Sequence, residues 1–289
     1  MRGRSWPRRL TRNPLNPSPD RVGTLKLLKR HGLRPDTDLG QHFLLDENLV
    51  DMAVRQARVS ADDVVLEVGP GIGTLTAALA REAHHVHAIE LDQRMAPVLA
   101  DVLTGVENVQ VQWADALQFP LEGLDPAPTR LVANLPYSIA TPLILESLWR
   151  LPSIEVWVVM VQREVADRWA AKPGTSNYSA PSALLQLAAR QFFMRPVGNE
   201  VFVPRPRVQS AIVGMERTGP GPSPAVRSLV HAAFAQRRKT IVNALTSAGA
   251  EKLAVIAAVA RLGLSPTARA QELAPDVFPC LVEELSWTA

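Results

Sequence analysis

The chain has 289 residues, 47% apolar and 20% charged, enough to bury a sizeable core in one large domain plus a smaller one; no apolar run reaches eighteen residues, which excludes a membrane-spanning helix. Its one cysteine, Cys280, cannot form an intramolecular disulfide or a cysteine-rich zinc site, so a reducing compartment is expected and no metal. The net charge is only +3, but residues 1–34 carry ten basic side chains and one acid (Asp20), and Arg190 to Leu245 carry nine and two (Glu200 and Glu216), a distribution that suggests a polyanion held by particular faces.

Residues 1–20, with Pro7, Pro14, Pro17 and Pro19 among Arg and Asn, read as a disordered basic arm. They lack the apolar core of a secretory signal, although the Arg-rich, acid-poor composition is also that of a transit peptide. A short helix is predicted over Gly23–His31, then a loop over Leu39–Leu45, then a helix over Asp46–Ala57 with apolar residues at helical spacing. Strands and helices then alternate: strand Val64–Val68, helix Thr74–Arg81, strand Val86–Glu90, helix Gln93–Leu103, strand Val109–Gln112, strand Leu131–Asn134, helix Pro142–Arg150 and strand Val156–Val161. This alternation predicts an α/β fold with a parallel sheet covered on both faces. Gly219-Pro220-Gly221-Pro222-Ser223-Pro224 reads as a linker, followed by helices over Ala225–Phe234, Gln236–Ser247, Leu253–Leu262 and Pro275–Leu285. The division expected is an arm (1–21), an α/β domain (22–218) and a small helical domain (219–289).

Gly69, Gly71 and Gly73, in Glu67-Val68-Gly69-Pro70-Gly71-Ile72-Gly73, lie between a strand and a helix, where glycine lets the backbone turn sharply and approach a ligand. Glu90 ends the second strand, placed to accept from both ribose hydroxyls of a nucleoside; Asp115 follows the third, where it could accept from an adenine amino group. Loop, acid and acid in this order fit S-adenosylmethionine better than NAD. Asn134-Leu135-Pro136-Tyr137 follows the fourth strand, at the carboxyl edge of the sheet. Adenine N6 is a poor nucleophile because its lone pair is delocalised. Acceptors on its two N–H bonds, the Asn134 side-chain oxygen and the Leu135 carbonyl, would hold it and favour the pyramidal geometry of attack. Pro136 fixes the bend, Tyr137 offers a face to an extruded base, and Phe202 is a second candidate stacking partner. No strong general base is required. Arg205 and Arg207, in the stiff Val201–Arg207 segment, could meet phosphates.

Gly40-Gln41-His42-Phe43-Leu44-Leu45-Asp46, the glycine loop, Ile89-Glu90, Ala114-Asp115 and Asn134–Tyr137 together resemble the rRNA adenine dimethylases. Gln162–Arg168, Pro204–Ser210 and Phe234-Ala235-Gln236-Arg237-Arg238-Lys239-Thr240 look like the small-subunit (KsgA) type, and the resemblance runs from about residue 22 onward. It implies a Rossmann-like S-adenosylmethionine-dependent methyltransferase with a C-terminal helical domain. It also implies dimethylation of two adjacent adenines in the 3′-terminal hairpin of 16S rRNA, with the small subunit as partner. Carried over by motif, His42 and Leu44 close the cofactor pocket with Gly69, Glu90, Asp115 and Asn134. His42 stands where many relatives have Asn, and Ser138 replaces the more usual Asn of the matching turn. Pro181 interrupts a stretch that often reads without proline, and is expected to start a helix. Gln236–Lys239 is expected to open a helix whose Arg237, Arg238 and Lys239 grip rRNA phosphates. A cytoplasmic monomer is expected, with no membrane partner. Three rivals stay open: a large-subunit rRNA dimethylase of the macrolide-resistance type, a DNA adenine methyltransferase, and a non-catalytic ribosome-assembly factor on the same fold.

Overall fold

The computed structural model describes residues 21–288. The basic arm expected over 1–21 therefore lies outside the described residues, except for Arg21, which opens a helix instead. The chain runs α1 (Arg21–Arg30), β1 (Phe43–Leu44), α2 (Glu47–Gln56), β2 (Val64–Val68), α3 (Thr74–Glu82), β3 (His85–Glu90), α4 (Ala96–Val102), β4 (Val109–Trp113), β5 (Arg130–Asn134) and α5 (Ala140–Arg150). It continues β6 (Val156–Gln162), α6 (Arg163–Trp169), α7 (Ala180–Gln186), β7 (Ala189–Val197), β8 (Phe202–Val203), β9 (Ser210–Arg217), α8 (Pro224–Phe234), α9 (Ile241–Ser247), α10 (Lys252–Arg261) and α11 (Val277–Leu285).

Seven strands form one sheet in the order β4-β3-β2-β5-β6-β9-β7, the expected Rossmann-like arrangement. The five strands expected, β2 to β6, are parallel as predicted, and the sheet is extended by β9, which runs antiparallel to both β6 and β7. Both β7 and β9 lie in a stretch where no strand was expected. The five parallel strands are short and rich in Val, Leu and Ile, as strands covered on both faces must be. Alternate residues serve opposite faces. Leu66, Leu131, Ala133, Trp157 and Val159 join the core under α5 and α7, whereas Val65, Val132, Val156 and Val158 join the core under α2 and α3. The first of these cores continues without a break into α8, α9, α10 and α11 through Leu229, Val230, Ile241, Leu245, Val259 and Phe278.

Local chemistry sets several boundaries. Asp46 caps α2, its Oδ1 accepting from the N–H groups of Asn48 and Leu49 at 2.8 and 3.2 Å. Pro181 falls in the first turn of α7, as expected. The helix predicted over Gln93–Leu103 starts only at Ala96, after a 3-10 turn over Gln93–Met95. The helix predicted from Gln236 starts at Ile241, because Thr240 takes the cap position and its Oγ1 accepts from the Asn243 N–H at 3.3 Å. Gln236–Lys239 is a turn, not a helix start. The Gly219–Pro224 connection lies against α5: a Cβ on Gly221 would stand 2.4 Å from the Leu148 carbonyl oxygen.

Candidate active site

Strand order reverses at β2, with β3 on one side and β5 on the other, and the crevice at their carboxyl ends is where open α/β sheets bind ligands. The pairing of β2 with β5 ends at Leu66 and Leu131, and beyond it Gly69 and Asn134 lie side by side on the wall of a cavity. His42, Leu44, Gly69, Gly71, Glu90, Asp115 and Asn134 all line it.

On the loop after β2, Gly71 has φ +54°, and a Cβ there would sit 2.9 Å from the Phe43 ring, so a side chain is excluded on both grounds. Gly73 does not line the cavity. It precedes α3, and its bare Cα makes room for Leu99 and Val102. Glu90 is 6% exposed; its Oε2 accepts from the Gly71 N–H at 3.0 Å and its Oε1 from the Asp92 N–H at 2.9 Å. Burial raises its pKa, and these two N–H groups work against that rise. Asp115 is exposed and uses Oδ1 to cap the Leu117 N–H at 2.9 Å, which leaves Oδ2 as its unshared acceptor among the described residues.

Glu67, two residues before Gly69, is a site residue that sequence reasoning missed. It lines the cavity at 1% exposure beside the buried Thr76 hydroxyl, and among the described residues its Oε2 makes no hydrogen bond of full geometry. Burial pushes its carboxyl up to about 8, against the lowering pull of the Thr76 hydroxyl, with the charge of Glu90 adding to the rise. It is therefore neutral near pH 7 and can donate. Its place at the end of an apolar strand hid it.

On the β5 side, Asn134 Nδ2 donates to the His42 carbonyl at 2.9 Å. A carbonyl only accepts, so this bond fixes the amide with Oδ1 as the remaining acceptor. Among the described residues nothing donates to the Leu135 carbonyl, while its N–H is tied to Met160 at 3.2 Å. The Tyr137 hydroxyl pairs with the Oγ of buried Ser210 at 2.7 Å, and its ring stacks beside His42 with centroids 5.8 Å apart. Ser210 is a second supporting residue that the sequence did not single out. The His42 Nδ1 lies 2.8 Å from the Pro204 carbonyl and must carry the proton there. That leaves Nε2 as the ring nitrogen free to meet a ligand.

Phe202 is corrected. It is 0% exposed, pairs across β1–β8 with Leu44 and packs in the core with Leu49 and Val197, so its ring shows no open face. Arg205 and Arg207 are exposed on a loop fastened to the site by the His42–Pro204 contact and by Asn199 Nδ2 donating to the Pro206 carbonyl at 3.0 Å. In the Gln236–Lys239 turn, Arg237 Nη2 donates to the carbonyls of Ser176 and Tyr178 at 2.9 and 3.2 Å, and Lys239 Nζ to Ser247 Oγ at 3.2 Å. Arg238 is exposed and makes no such bond among the described residues.

Residues 32–284 match the family model described as ribosomal RNA adenine dimethylase. The chain is 45% identical over 255 residues to the ribosomal RNA small subunit methyltransferase A of Rubrobacter xylanophilus, covering 88% of this chain and 96% of that one. It is 42% identical over 258 residues to the protein of the same name from Deinococcus radiodurans, covering 89% and 87%. Among solved structures, a dimethyladenosine transferase from Plasmodium falciparum shares the fold, with a TM-score of 0.70 at 24% identity over 85% of this chain and 98% of that one. The 23S rRNA methyltransferase ErmE superposes with a TM-score of 0.62 at 28% identity, covering 84% and 99%.

Proposed function

The chain belongs to the ribosomal RNA adenine dimethylases, and from that premise we propose that it transfers methyl groups from S-adenosylmethionine to N6 of two adjacent adenines in the 3′-terminal hairpin of 16S rRNA. The relatives named for the small subunit, at 42–45% identity across most of the chain, support the small-subunit target over the large-subunit one. The observation that carries the chemistry is the Asn134–His42 bond, which commits the amide nitrogen and leaves Oδ1 to accept.

The residues present fit the methyl donor. Gly71, in the left-handed turn with its Cα packed on Phe43, keeps a bare backbone on the cavity wall, Glu90 keeps lone pairs for two ribose hydroxyls beyond its backbone bonds, and Asp115 Oδ2 can take an adenine amino hydrogen. His42 and Leu44 close the pocket from the side of the target turn. When bound, the donor supplies a methyl on a sulfonium sulfur; N6 forms the new C–N bond as the S–C bond breaks, and the N6 proton leaves to solvent. Asn134 Oδ1 and the Leu135 carbonyl accept the two N6 hydrogens and hold the nitrogen lone pair toward the methyl. These acceptors act most strongly as N6 becomes cationic, so they stabilise the transition state more than the bound base. Tyr137, fixed by Ser210, gives the extruded base a surface.

We read residues 22–218 as the catalytic unit and 219–289 as the part that helps select the RNA, in a cytoplasmic monomer. Arg205, Arg207 and Arg238 are the assigned phosphate contacts, with Lys239 beside them; Arg237 is spent on protein carbonyls. The test is labelled-methyl transfer to small subunits from an unmethylated strain, followed by mass spectrometry of both rRNAs. Dimethyladenine confined to the large-subunit RNA would overturn the target, and a chain that binds subunits without transferring methyl would be an assembly factor.

A further inference from the structure

The segment ahead of β1 crosses the cavity as a strap: Asp38 to Leu44 form one of its walls. No residue from Gly32 through His42 is buried, and Leu33 alone of them packs against an apolar core, that of Leu27, Leu28 and Phe43; from Arg34 to His42 the stretch has no such anchor among the described residues, and the first buried positions are Phe43 and Leu44. Polar contacts hold it instead. Gln41 Nε2 donates to Asp92 Oδ2 at 2.8 Å while Gln41 Oε1 accepts from the Asp36 N–H at 2.8 Å. Arg94 completes the ring, with Nε on Asp92 Oδ1 at 2.7 Å and Nη2 on Asp92 Oδ2 and Asp36 Oδ2 at 2.9 Å each. The Arg94 guanidinium holds both carboxyls below the usual range, so each stays charged.

This ring joins the two halves of the site. The Asp92 N–H donates to Glu90 Oε1, on the acid side. The residue after Gln41 is His42, whose carbonyl orients Asn134, and Gly40 lies so close to Pro136 that a Cβ would stand 3.3 Å from the proline Cβ. Opening the strap at Gln41 would uncover the acid side while leaving Phe43 and Leu44 paired with β8. A dimethylase needs such an opening, because each methyl consumes one donor and the second methyl on the same adenine needs a fresh one.

We propose that Gln41, Asp92 and Arg94 form a clasp that closes the strap over the donor cavity and releases for each exchange, making Gln41 and Arg94 positioning residues that set how fast spent donor leaves between successive transfers. The proposal rests on the methyl-transfer reading above. Hydrogen bonds to charged groups at a part-exposed site are worth roughly a five- to twenty-fold change in equilibrium when one partner is removed. Strap motions of this kind gate ligand exchange in many enzymes.

The experiment uses the full chain and S-adenosylhomocysteine, with affinity measured by calorimetry, release by a stopped-flow chase and folding by thermal melting. Gln41→Ala and Arg94→Ala are expected to release the ligand about five- to twenty-fold faster with melting unchanged. Gln41→Glu sets a carboxylate against Asp92 and should release faster still; adding Asp92→Asn should slow release again, a rescue that a merely structural role would not give. At limiting donor the Gln41→Ala protein should leave a larger monomethyl share on the RNA. Wild-type release rates in the folded variants, or melting losses that account for the weaker binding, would overturn the clasp. A wild-type chain that fails to bind the ligand would instead overturn the methyl-transfer reading.

Discussion

Asn134 gives its side-chain N–H to the backbone carbonyl of His42 across 2.9 Å, so a residue at the end of β5 is oriented by one placed 92 positions earlier. Because the partner is backbone, no substitution at position 42 removes it directly. The vulnerable end is Asn134. Asn134→Ala is expected to lower the rate of methyl transfer by about a hundred- to a thousand-fold, the scale of losing one oriented polar group in a transition-state site, while binding to the small subunit is retained. Single-turnover transfer and a subunit-binding assay check it; near-normal transfer would remove Asn134 from the mechanism.

Glu67 makes the free protein sensitive to pH in an unusual direction. In the folded chain it keeps its proton up to about pH 8, whereas unfolded glutamate loses it near 4.5. The native state therefore binds more protons between these values, and stability falls as pH rises through that window. Glu67→Gln should be nearly neutral at pH 5 and stabilising by on the order of a few kcal/mol at pH 8. Urea unfolding at both pH values, without ligand, measures the difference. An equal effect at both would show that Glu67 is not held neutral.

Arg217 ties the reversed strand β9 to the end of α5. Its guanidinium donates to the carbonyls of Leu148, Leu151 and Ile154 at 3.1, 3.0 and 2.6 Å and lies over the Trp157 ring at 4.9 Å. Of these, the Leu148 and Ile154 carbonyls, at the helix C-terminus and the turn after it, have Arg217 as their donor, while the Leu151 carbonyl also accepts from the Ile154 N–H at 3.1 Å. Arg217→Met keeps much of the stem packing but strands the first two, and should cost about 2–4 kcal/mol in urea unfolding. Lys offers no planar fork and should rescue poorly.

The basic turn after α8 separates two effects that its sequence merges. Arg237→Ala should lower the melting temperature, since its bonds to Ser176 and Tyr178 brace the loop before α7. Arg238→Ala should leave stability alone, weaken RNA binding and reduce the slope of log affinity against log salt by about one. Salt titrations of both variants tell them apart, and equal slopes would remove Arg238 from the interface.

Much of this was legible from sequence because the parallel strands are buried on both faces and read as plain apolar runs, with the turn glycines and acids at their ends. What was hidden has physical reasons. The edge strand β7 carries Arg190, Gln191, Arg195 and Pro196 on either side of Phe192, Phe193 and Met194, so neither a plain apolar run nor a strict alternation marks it as a strand. The helix expected from Gln236 ignored Thr240, whose hydroxyl is a better helix start than the basic residues before it. Phe202 looked like a ligand face because it stands among prolines and arginines, yet its pairing with Leu44 turns it inward. The Gln41–Asp92–Arg94 ring joins positions about fifty residues apart and leaves no periodic trace.

The apolar core that runs from Trp157 and Leu143 into Leu229, Ile241 and Phe278 makes the helical tail a load on the sheet rather than a detachable module. Retargeting by grafting a relative's tail would therefore have to transplant its underside as well, the facing positions of α5 and α7 included. A chimera cut at the Gly219–Pro224 connection alone would join two surfaces that never adapted to each other.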